Sequence, residues 1–173
     1  MTKITILGAK GRIATIARQR FLAETDAHLT LFARGTSQLK NVDSSRETVV
    51  EGDATDSEAV SMAVRGADIV YANLAGNNMD KEAQTVVSAM KAEGISRLVW
   101  ISSIGIYDEV PGAFGAWNNE VLKNYLPPYK RAAKIIEESG LDYTIVRPAW
   151  LTDKDEVKYE TTKKPEPFKG TEV

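Results

Sequence analysis

Short apolar runs alternate along the chain with longer stretches whose apolar residues recur every three or four positions. Residues 3–7, 29–33, 48–51, 68–72, 97–102 and 143–146 read as six strands. Residues 12–24 place Ile13, Ile16, Ala17 and Phe21 on one helical face, and residues 80–93 do the same with Ala83, Val86, Val87 and Met90. Thr55-Asp56-Ser57-Glu58 predicts a capping box with Thr55 as the cap. The helix it opens carries Ala59, Val60, Ala63 and Val64 and stops at Gly66. Residues 128–139 predict a helix with proline in its first turn and Gly140 past its end. Residues 110–119 hold Phe114 and Trp117 among small residues and read as a loop, either a lid or a surface segment anchored by its aromatics.

Strand and helix in strict alternation imply parallel pairing through helical crossovers, an α/β chain. Ile69-Val70-Tyr71 and Leu98-Val99-Trp100-Ile101 are apolar on both faces, which fits a sheet covered by helices on both sides. At roughly 150 residues per domain, the 173 residues make one domain. It is expected over 1–151, with 152–173, charged and holding Pro165 and Pro167, as an irregular C-terminal segment.

Composition narrows the chemistry. There is no cysteine, which excludes a disulfide framework, a thiolate nucleophile and a Cys-ligated metal; His28 stands alone, so no metal site is expected. With 22 Lys and Arg against 24 Asp and Glu, nothing draws the chain to nucleic acid or to an anionic membrane. No apolar stretch is long enough to span a bilayer, and Gly8, Lys10 and Arg12 come too early for a signal peptide. A cytoplasmic domain is expected, using hydroxyls, lysines, arginines or a bound cofactor.

Gly8-Ala9-Lys10-Gly11-Arg12-Ile13-Ala14 follows the first strand and opens the first helix. Gly8 permits the tight turn, Gly11 lets a phosphate approach the backbone, and Ala14 lets the helix pack near the sheet. The free N–H groups and positive dipole end of the helix suit a pyrophosphate. At the end of the second strand, where an NAD site usually has an acid for the ribose 2′-OH, stands Ala33-Arg34-Gly35. Arg34, with Arg12 in the loop, suits a 2′-phosphate, so NADP(H) is expected over NAD(H).

Four motifs then occur in order: Gly8-Ala9-Lys10-Gly11-Arg12-Ile13, Gly52-Asp53-Ala54-Thr55-Asp56, Ile101-Ser102-Ser103 and Ser139-Gly140-Leu141-Asp142-Tyr143-Thr144-Ile145-Val146-Arg147-Pro148. Together they resemble the atypical short-chain dehydrogenases of the NmrA-like, NAD(P)H-binding group. The resemblance implies a three-layer Rossmann fold with a mostly parallel, doubly wound sheet. It implies that Gly8, Lys10, Gly11, Arg12 and Ile13 hold the pyrophosphate, with Arg34 near the adenosine ribose. Asp53 and Ala54 would border the adenine, and Leu74, Ala75 and Gly76 would pass the nicotinamide-side ribose. Ser102 and Ser103 would face the nicotinamide, with Pro148 and Ala149 closing over it. Such chains generally continue with a further helix, so this C-terminus is expected to be a shortened one.

Carbonyl-reducing short-chain dehydrogenases use Ser, Tyr and a Lys four residues after the Tyr, on one helical face. Here Tyr125 falls in the Tyr place and Tyr129 in the Lys place. Pro127-Pro128 argue against a continuous helix through Tyr125, and without the lysine Tyr125 is expected to be a weak proton donor. Tyr107 is a second candidate hydroxyl. Two functions follow: an NADPH-dependent reductase of a small quinone-like or carbonyl substrate, or a non-catalytic NADP(H) sensor that reports to a protein partner. A sugar-nucleotide epimerase or dehydratase is a third reading, weakened by the missing lysine.

Overall fold

The computed structural model describes residues 1–173. The chain runs β1 (Lys3–Leu7), α1 (Arg12–Glu24), β2 (His28–Ala33), a short 3-10 turn (Thr36–Gln38), β3 (Glu47–Glu51), α2 (Ser57–Val64), β4 (Ile69–Ala72) and α3 (Met79–Ala92). It continues through β5 (Arg97–Ile101), α4 (Gly112–Val121), α5 (Leu126–Glu137) and β6 (Asp142–Val146). The sheet order is β3-β2-β1-β4-β5-β6 and every pairing is parallel. The chain therefore winds outward in both directions from β1 and β4, a three-layer Rossmann fold. The crevice between those two strands is the place where such sheets bind ligands.

Two cores hold the layers together. On one face, α2, α3 and α5 bury Val60, Met79, Met90 and Ile136 against Leu98 and Trp100 of β5. On the other, α1 packs Ile13, Ala17 and Phe21 over Ile4, Ile6, Leu29 and Leu31. Phe21 meets Tyr71 edge-on, with ring centroids 6.0 Å apart. Ile16, expected on this face, is 58% exposed. The buried stripe of α1 centres on Ile13, Ala17 and Phe21 and extends to Ala14 and Arg18, so Ile16 falls on the far side.

Two arginines tie α1 to the segment leading into β3. Arg18 pairs with the buried carboxylate of Glu47 and donates to the carbonyls of Lys40 and Asn41, both at 3.0 Å. Arg46 donates to the carbonyls of Leu22 (2.8 Å), Thr25 (2.7 Å) and Ala27 (2.9 Å). The last turn of α1 has no basic residue of its own, so Arg46 serves its Leu22 carbonyl from outside the helix and continues onto the Thr25 and Ala27 carbonyls that follow.

Three local expectations are corrected. Asp56, not Thr55, caps α2: its carboxylate accepts from the amides of Glu58 (2.9 Å) and Ala59 (3.2 Å). The Thr55 hydroxyl turns back to Asp53 at 2.7 Å. Residues 110–119, expected as loop, fall mostly within α4, which spans Gly112–Val121. Gly115, which reads as a loop residue, is required by close packing, because a Cβ there would lie 1.9 Å from the Val110 carbonyl oxygen. Finally, the prolines do not break the chain at Tyr125. α5 begins at Leu126, and Pro127 and Pro128 stand in its first turn, where no N–H is needed. Tyr125, at φ −96° and ψ −42°, already has helical geometry.

Beyond β6 the chain is irregular except for a bridge between Trp150 and Glu172. No helix is long and apolar enough to cross a membrane.

Candidate functional site

The C-terminal ends of the strands carry one cleft with two unlike halves. The polar half, about 270 Å³, lies against Gly8, Lys10, Gly11, Arg34, Ala54 and Glu82. The apolar half, about 300 Å³, is bounded by Ile13, Ser102, Ser103, Tyr125, Tyr129, Pro148 and Ala149, with Trp150 and Leu151 at its rim. Asn73, Leu74 and Ala75 border both halves, at the switch point beside β1.

The glycine loop is shaped for a close visitor. Gly8 adopts φ +76°, and a Cβ on it would sit 2.2 Å from the Asn73 carbonyl oxygen. Gly11 precedes α1 in extended geometry, and a Cβ there would meet the Asn73 side-chain nitrogen at 2.1 Å. No side chain caps α1 and no acid stands in its first turn. The amides of Arg12, Ile13 and Ala14 thus face the cleft end without helical partners and with the positive dipole end.

The expected pair of guanidinium groups is not assembled. Arg12 forms an ion pair with Asp153 instead, both exposed. Arg34 lies 3.6 Å from Asp53 and remains 78% exposed. The second cation at this end is Lys10, whose ammonium donates to Gln38 Oε1 at 3.0 Å. The Thr55 amide and hydroxyl, helped by Arg34, hold the Asp53 carboxyl below its ordinary range.

Glu82, in the first turn of α3, has no signal in the sequence. Its Oε2 is buried without a hydrogen-bond partner. Burial, reinforced by the charge of Asp53 and opposed by Arg34, pushes its carboxyl up to about 7. A raised carboxyl favours the fold while protonated, so its contribution is full below the unfolded value and is lost as pH rises through about 7. Glu82→Gln is therefore expected to gain about 1–2 kcal/mol over wild type near pH 8, after solvent screening, and little near pH 5. Urea midpoints at the two pH values test this; an equal difference at both removes Glu82 as the cause.

In the apolar half, Ser102 is buried and its Oγ has no partner in the protein. Ser103 instead donates to the Ile104 carbonyl at 3.2 Å. Tyr125 and Tyr129 stack with ring centroids 4.5 Å apart, and their hydroxyls are hydrogen-bonded. Tyr129 also accepts from the Gly76 amide at 3.3 Å. Tyr107 does not border this cleft. Its hydroxyl donates to Glu137 at 2.7 Å, and the Arg147 guanidinium and Lys164 ammonium lie over its ring. Phe114, Trp117 and Trp150 form an aromatic row that runs outward from the rim at Trp150, whose Nε1 donates to the buried Asn118.

The set fits a dinucleotide: bare glycines and free amides midway, cations at one end, an orphaned hydroxyl in an apolar recess at the other. Comparison with known proteins agrees. A Rossmann-fold NAD(P)-binding family protein from Shigella flexneri is 40% identical, with a TM-score of 0.84, over 100% of this chain and 80% of that one. A short-chain dehydrogenase/reductase from Veillonella parvula DSM 2008, solved in complex with NADP, is 30% identical with a TM-score of 0.92, over 99% of this chain and 81% of that one. A Bacillus subtilis (strain 168) protein named as the uncharacterized sugar epimerase YhfK is 27% identical over 164 residues, 88% of this chain and 73% of its own length. The profile of a family described as NAD(P)H-binding matches residues 8–173, and the chain belongs to that family.

Proposed function

We propose that this protein is an NADPH-dependent oxidoreductase that reduces a small quinone-like or carbonyl substrate. The observation that carries the reading is the buried, unpartnered Ser102 hydroxyl in an apolar recess continuous with the glycine cradle. A bound dihydronicotinamide would supply the hydride. Gly8, Gly11 and the start of α1 would hold the pyrophosphate. Pro148 and Ala149 would close the recess and keep water from the reacting carbon. Ser102 would donate its hydrogen bond to the substrate oxygen, where negative charge develops.

NADPH absorbance, followed while quinones, flavins and aldehydes are added in turn, tests the activity. Oxidation with none of them favours the second reading, an NADP(H) sensor acting on a protein partner. That reading draws on Tyr129 standing where the reductases carry lysine.

Preference for NADP(H) rests on Arg34 and Lys10 at the polar end and on the lack of an acid at the end of β2. Arg34→Ala is expected to weaken NADPH binding by about 1–3 kcal/mol and leave NADH nearly unchanged. Equal titration curves for NADPH and NADH on the unmodified protein would remove the preference.

A further inference from the structure

We propose that Tyr125 and Tyr129 act as a coupled pair of hydroxyls that stabilises and protonates the substrate oxygen, in place of a tyrosine and a lysine. The inference rests on the reductase reading above, and it adds Tyr129 as a positioning residue that supports Tyr125.

The direction of the hydrogen bonds follows from burial. The Gly76 N–H can only donate, so the Tyr129 oxygen accepts it. Tyr129 is 3% exposed and has no other acceptor within reach. If Tyr125 donated to Tyr129, the Tyr129 proton would be buried without a partner, which folded proteins avoid. Tyr129 therefore donates to Tyr125. The Tyr125 proton is then the free end of the chain Gly76 N–H, Tyr129 O–H, Tyr125 O–H. Tyr125 is 37% exposed and borders the same recess as Ser102.

The geometry is held by the backbone. Tyr125 and Tyr129 are one helical turn apart, and Pro127 and Pro128 fix φ in that turn. The stacked rings set the two oxygens side by side. Burial and the bond to Tyr125 raise the Tyr129 hydroxyl well above its ordinary range, so it stays protonated and able to donate. A lysine here would bring a charge into an apolar recess. Two neutral hydroxyls in series avoid that desolvation and polarise one another as charge appears.

The substrate carbonyl carbon gains a hydride, with its two electrons, from the dihydronicotinamide, and the C=O π bond becomes an oxyanion. That oxygen takes the Tyr125 proton, Tyr129 keeps its own proton and donates its hydrogen bond to the Tyr125 phenolate, and the exposed Tyr125 regains a proton from water as product leaves.

An oxyanion probe tests the pair without turnover. 4-Nitrophenol, whose visible absorbance reports its ionisation, is titrated on the protein without cofactor. On wild type the bound probe is expected to ionise at lower pH than in solution. Tyr129→Phe keeps the ring but is expected to lose most of that shift, although position 129 acts only through Tyr125. Tyr125→Phe, at a more exposed site less able to disturb folding, is expected to lose all of it. For a substrate that is turned over, Tyr129→Phe is expected to lower kcat by about tenfold with little change in KM.

Equal probe ionisation with wild type and folded Tyr129→Phe, or a shift that survives Tyr125→Phe, overturns the proposal. NADPH titration of wild type separates the two readings. A protein that shifts the probe but binds no NADPH loses the cofactor reading and keeps the pair. One that binds NADPH but leaves the probe as in solution loses the pair alone.

Discussion

Gly11→Val is expected to weaken NADPH binding by more than about a hundredfold, about 2.7 kcal/mol, while far-UV circular dichroism stays native-like. Gly11 sits at φ −63° and ψ 147°, a region open to every residue, so the backbone is not strained by the change. The nearest atom to the new Cβ is the end of the Asn73 side chain, which can swing aside. What the branched side chain then fills is the space over the free amides of α1, where the pyrophosphate would lie. Gly8→Ala is the contrasting control. It forces a Cβ into a left-handed conformation and against the Asn73 backbone carbonyl, so it should cost more than about 2 kcal/mol of stability. Near-normal NADPH affinity in Gly11→Val would show that the loop does not hold the phosphates.

Arg18→Met is expected to destabilise the protein by about 3–5 kcal/mol. The Glu47 side chain is fully buried, and Arg18 meets it with two guanidinium nitrogens, Nη2 at 2.6 Å. Burial pushes the Glu47 carboxyl up; the Arg18 hydrogen bonds and the Asp43 amide outweigh it and hold it below its ordinary range. Methionine fills the space of the arginine stem but leaves the carboxylate without a cation. The sign of the pH dependence then reverses. Wild type, with a depressed carboxyl, loses this stability as pH falls; the variant, with burial opposed only by the Asp43 amide, regains stability as Glu47 takes a proton. The deficit should therefore be largest at neutral pH and shrink in acid, as read from urea unfolding. Arg18→Met with Glu47→Leu should recover most of the loss, because no charge is left buried. A neutral-pH deficit below about 1 kcal/mol for the single change would mean that water reaches Glu47.

Much of this architecture is legible along the chain because its signals are local. The glycine loop, the strands and the stops at Gly66, Gly94 and Gly140, all with positive φ, depend on neighbours within a turn. α4 is not legible, since Pro111, Gly112 and Gly115 look like loop until the approach of the Val110 carbonyl is known. The site divides in the same way. Gly8 and Gly11 declare themselves by spacing. Asn73 and Glu82 enter the cleft only because β4 lies beside β1, which nothing near them in sequence announces. Arg12 pairs with Asp153, 141 residues away, a contact that nothing local in the sequence announces. The Tyr125–Tyr129 spacing is visible, but the bond from the Gly76 amide that gives it direction is not.

The Arg46 guanidinium, seated on the Leu22 carbonyl in the last turn of α1 and on the Thr25 and Ala27 carbonyls just past it, also bears on how the protein opens. An edge strand such as β3 would ordinarily fray by itself, exchanging its amide hydrogens quickly. Here, releasing the start of β3 also draws Arg46, the residue just before it, off the carbonyls of Leu22, Thr25 and Ala27, so the end of α1 should loosen at the same moment. β3 and the last turn of α1 are thereby joined into one cooperative unit. Their amides should exchange at matched rates, and Arg46→Ala should uncouple them, leaving α1 to fray from its end while β3 opens on its own schedule.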